Sequence, residues 1–136
     1  MQPFTRALFS TITGNAPIMA AFTGGFALDR MPTTANYPYL VASVVANPQT
    51  TAYRGAEFYE PTIRFTAFGV GQDALLGAMQ TLIAQLDQLL FTGTGLTLIN
   101  TTRKTDILPT LTKDVDGNGK EVARCDVIYD FAAQSF

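Results

Sequence analysis

A chain of 136 residues, 47% apolar and 15% charged, has the length of one domain and enough material for a hydrophobic core. Its formal charge of −2, with nine basic residues scattered along the chain, gives no field to gather nucleic acid or an anionic membrane, and no apolar run reaches the ~18 residues that cross a bilayer. Histidine is absent and Cys125 is the single cysteine, which excludes Ser-His-Asp and Cys-His catalysis, His-ligated zinc, histidine pH switching and an intrachain disulfide.

The opening stretch "PFTRALFSTIT" places Phe4, Leu8 and Ile12 on one helical face, with Pro3 suited to a first turn and Gly14-Asn15 to a stop. It has no unbroken apolar core, so a signal peptide is not expected. Residues 16–27 form a second helix or an extended entry. Residues 29–38 read as a loop punctuated by Pro32 and Pro38. Tyr39 to Ala46 is a β-branched run, expected to be a central strand buried on both faces. A long polar loop follows, with Tyr53 and Arg54 near its tip.

"EFYEPTIRFTAFG" alternates. Tyr59, Ile63, Phe65 and Ala67 face a core, while Glu60, Thr62, Arg64 and Thr66 face outward. Pro61 cannot donate to a ladder, so this strand is expected at an edge or with a bulge. "DALLGAMQTLIAQLDQLLF" is the strongest helix. Leu75, Met79, Leu82, Ile83, Leu86 and Leu90 form its apolar stripe, with Asp73 as N-cap and Gly93 beyond the end. "LTLINTT" is a strand, and Pro109 breaks the segment after it. In the last strand Ala123, Cys125, Val127, Tyr129 and Phe131 share one face, and Arg124, Asp126, Ile128 and Asp130 the other. The whole reads as a single α+β domain over residues 1–136. A mostly antiparallel sheet of four to five strands carries a long amphipathic helix and a short N-terminal helix on one face.

Several motifs imitate chemistry. Asp114, Asp116, Asn118 and Gly119 follow the start of an EF-hand loop, but position 12, which needs a bidentate Glu, is Cys125. "DGNG" is therefore read as a hairpin connection, not a metal site. Gly69, Gly71 and Ala74 match a dinucleotide fingerprint, but Asp73 would set negative charge where a pyrophosphate should sit, and no acidic ribose ligand follows roughly 20 residues on. The pairs Glu57/Glu60 and Asp126/Asp130 have no evident pocket to split their acidities, so they read as solvated or subunit-facing. Cys125 reads as a buried thiol. No cofactor, metal or catalytic residue is expected. A charge fraction well below the ~25% of typical domains leaves surface that suits coverage by further subunits, so a homo-oligomer is expected. Tyr53 and Arg54 are candidate subunit or partner contacts, since such side chains often anchor interfaces.

The element order resembles the tail-terminator (tail-completion, neck) proteins of long-tailed bacteriophages. "GGFALDRMPTTANYPYLVASVV" resembles the family's loop and entry into its first strand. "IRFTAFGVGQDALLGAMQTLIAQLDQLL" is similar to its second strand and helix, and "DILPTLTKDVDGNGKEVARCDVIYDF" to its closing hairpin. The resemblance spans nearly the whole chain through patterns of low specificity and fixes no functional residue. It implies a virion protein, assembled in the host cytoplasm, that forms a ring, usually hexameric. The ring would cap the tail tube, meet the tube protein on one side and a head connector or head-completion protein on the other, and pass viral DNA through its lumen without sequence-specific binding. Alternatives are another head-completion, neck or baseplate component, or a small α+β ligand-binding domain or enzyme with a pocket lined by Glu57, Glu60 or Asp126.

Overall fold

A computed structural model describes residues 2–29, 36–46, 57–87, 92–93, 96–103, 110–115 and 121–135. In chain order they form α1 (Gln2–Thr13), α2 (Ala16–Ala21), β1 (Phe26–Leu28), β2 (Tyr39–Ala46), β3 (Glu57–Tyr59), β4 (Thr62–Gly69), α3 (Gln72–Asp87), β5 (Thr92–Gly93), β6 (Leu96–Arg103), β7 (Thr110–Val115) and β8 (Glu121–Ser135). The expected strands are β2, the stretch now divided into β3 and β4, β6, β7 and β8. Two segments of two or three residues, β1 and β5, extend the same sheet.

The 15-residue β8 organises the sheet. Along one edge it pairs antiparallel with β4 and then β3; along the other with β7 and then β6. β2 adds antiparallel to β4, and β1 adds parallel to β2, the one parallel pair among the described strands. The placement of β4 corrects the edge expectation. It lies inside the sheet between β2 and β8. The missing amide of Pro61 is accommodated by a break at Glu60-Pro61 that divides β3 from β4, while the Pro61 carbonyl still accepts from Phe131 N–H at 3.0 Å. β2 is also corrected. Leu40, Val41 and Ala42 are buried, but Val44 and Val45 are 43% and 48% exposed, because β1 covers only the first half of the strand.

The alternation of β8 divides the faces as expected. Cys125, Val127, Tyr129, Phe131 and Ala133 turn to the helices and are buried, with Leu40 and Ala42 of β2 and Ile63, Phe65 and Ala67 of β4 in register on the same side. Phe4, Leu8 and Ile12 of α1, Ile18 of α2 and Leu75, Met79, Leu82 and Leu86 of α3 complete this core. Each such side chain contributes about 1.5–3 kcal/mol on burial. Phe65, Tyr129 and Phe131 pack ring to ring with centroids 6.0–6.4 Å apart, and Phe4 meets Phe131 at 5.4 Å.

Polar contacts fix the helices. The Asn15 side chain caps α2 by accepting from Ile18 N–H at 3.0 Å and donates to Gln85 Oε1 of α3 at 3.1 Å. Buried Tyr129 donates to Asp87 Oδ1 at the end of α3 at 2.8 Å. α3 begins at Gln72, so Asp73 stands in its first turn and not at the N-cap, where it still favours the helix dipole. Gly24 lies against the segment before β2. Its N–H donates to Pro38 O at 2.8 Å, across the cis Tyr37-Pro38 bond. Among the described residues no helix is long and apolar enough to cross a membrane.

Candidate assembly surfaces

Ladder register assembles the first surface on the sheet face away from the helices. Tyr39 lies opposite Phe68, and Phe68 opposite Arg124. Tyr37 stacks on Tyr39 at 5.5 Å, Tyr39 meets Phe68 at 5.1 Å, and the Arg124 guanidinium carbon lies 5.8 Å from the Phe68 ring centre. One row further on, Val41, Thr66 and Asp126 align. Thr66 Oγ1 donates to Asp126 Oδ1 at 2.5 Å, and Arg124 Nε donates to Asp126 Oδ2 at 3.1 Å. Four residues along, Thr62 Oγ1 donates to Asp130 Oδ1 at 2.6 Å.

This arrangement suits recognition. Each carboxylate of the Asp126/Asp130 pair has its own threonine donor. The Arg124–Asp126 ion pair is about a third exposed, which limits it to about 1 kcal/mol or less. Its structural effect is to hold the guanidinium beside Phe68. Thr62 and Thr66, expected to face outward, do lie on this face, yet both are only 7% exposed.

The second surface is a cleft of about 130 Å³ beside the exposed half of β2, lined by Leu8, Leu28, Ala42, Val44 and Ile63 together with Thr5, Asp29 and Ser43. Asp29 follows β1 with φ of 69°, a left-handed conformation that Asp adopts more readily than most residues, and its N–H donates to Ala42 O at 2.8 Å. The cleft was not anticipated. Its sequence signal is the apolar pair Val44-Val45, which puts one valine on each face of a strand end.

Tyr53 and Arg54 lie outside the described residues. Glu57 starts β3 and Glu60 is exposed after it; neither they nor Asp126 line the cleft. Cys125 is fully buried, and burial, reinforced by the Asp126 charge, pushes its thiol up to about 11. Asp114 is a strand residue opposite Val122, while Asp116, Asn118 and Gly119 lie outside the described residues. Of the dinucleotide-like stretch, Gly69 ends β4 packed under Leu75, with room for a side-chain carbon only 3.2 Å from Leu75 Cδ1. Among the described residues no three His, Cys, Asp or Glu side chains come together.

No family model matches the chain, and no curated protein matches it. Solved structures do. One is a chain of the "Virion of native gene transfer agent (GTA) particle", which superposes with a TM-score of 0.64 at 10% identity over 96% of this chain and 93% of its own. A second solved chain overlaps at a TM-score of 0.42 with 16% identity over 96% of this chain and 91% of its own, too low to support a shared fold. By architecture, end to end, this protein shares its fold with a chain of a gene transfer agent virion.

Proposed function

We propose that this protein is a structural component of a phage-like virion that forms a ring at the head-proximal end of the tail tube. The ring ends tube polymerisation and offers the joining surface to the head connector. The observation that carries this reading is the near end-to-end fold likeness to a chain of a virion particle. The element pattern of the tail-terminator family adds support. Physical chemistry fits the role. A ring needs two unlike contact surfaces on each subunit, and the chain offers an aromatic-arginine face and an apolar cleft at a strand edge. A low charge fraction with net charge −2 suits subunits that bury surface against one another and a lumen through which DNA slides without being gripped.

Electron microscopy of particles assembled without this protein tests the proposal. The expected result is tails of irregular, excessive length that fail to join heads. Tails of normal length, joined to heads, would refute it. Normal tails beside heads that leak DNA would instead assign the protein to head completion, and tubes that never initiate would assign it to the baseplate.

A further inference from the structure

We draw no further inference here: the strongest candidate, the row of Tyr39, Phe68 and Arg124 on the sheet face away from the helices, has its guanidinium engaged by Asp126 and Phe68 of the same chain, and nothing in the structure shows what covers that face.

Discussion

Gly24→Ala tests whether the turn between the N-terminal helices and the sheet is as tight as the structure requires. A methyl group at Gly24 would sit 1.8 Å from Asn36 O, 2.7 Å from Asn36 C and 2.8 Å from Pro38 O. These are backbone atoms, so no side-chain rotation relieves them. The segments must part by about 1.2 Å even to reach a strained 3.0 Å contact. That movement breaks the Gly24 N–H bond to Pro38 O (2.8 Å) and strains the Leu40 N–H bond to Gly25 O (3.0 Å), which leads into the β1–β2 pairing. One hydrogen bond lost at about 1 kcal/mol, a second weakened by up to about 1 kcal/mol, and overpacking strain of about 1–3 kcal/mol give a loss of about 2–5 kcal/mol. Urea unfolding should show the midpoint lowered by roughly 1–3 M for an m-value of about 1.5–2.5 kcal/mol/M. Gly77→Ala is the matched control. Nothing lies within 4 Å of its added methyl, and it sits exposed inside α3, so it should stabilise by about 0.5–1 kcal/mol. If Gly24→Ala unfolds within about 0.5 kcal/mol of wild type, the close approach of the two segments is wrong.

Tyr129→Phe removes the bond to Asp87; because Asp87 is exposed and regains water, the loss should be about 1 kcal/mol by the same unfolding assay, and none at all would show that the bond does not form. Asn15→Ala removes both the α2 cap and the link to Gln85, for about 1–2 kcal/mol, most of which Asn15→Asp should recover through the cap alone. Cys125 ionises near 9 when unfolded and about 11 when folded, so the unfolded chain loses its proton first. Stability should therefore be unaffected by this group below pH 9 and decline between about pH 9 and 11 relative to Cys125→Ala. The thiol should react with iodoacetamide only under denaturing conditions; rapid alkylation of the native protein would contradict its burial.

The face assignments of the sheet and of α3 were legible because period-2 and period-3.6 patterns report burial directly. Ile63, Phe65 and Ala67, and Cys125 through Phe131, lie where alternation puts them. Position within the sheet was not legible. Pro61 suggested an edge or a bulge; an interruption of the strand at Glu60-Pro61 satisfied it and left β4 interior, since proline constrains only its own amide. The run Tyr39–Ala46 was dense enough in apolar residues to look buried throughout. Its second half is exposed because the cover, β1, is only three residues long, a length that no pattern in residues 39–46 encodes. Cys125 was the informative residue of the calcium-like stretch: fully buried opposite Leu111, it belongs to the sheet and cannot close a metal loop. The aromatic-arginine row escaped sequence reading because Tyr39, Phe68 and Arg124 come from three segments and meet only through ladder register.

Ring formation is the central claim, and electron microscopy of the purified full-length protein, with native mass measured on the same sample, tests it most directly. The account predicts closed rings of a single subunit number with an open lumen wide enough for duplex DNA. A monomer at all concentrations, or open filaments with no closed species, would contradict it.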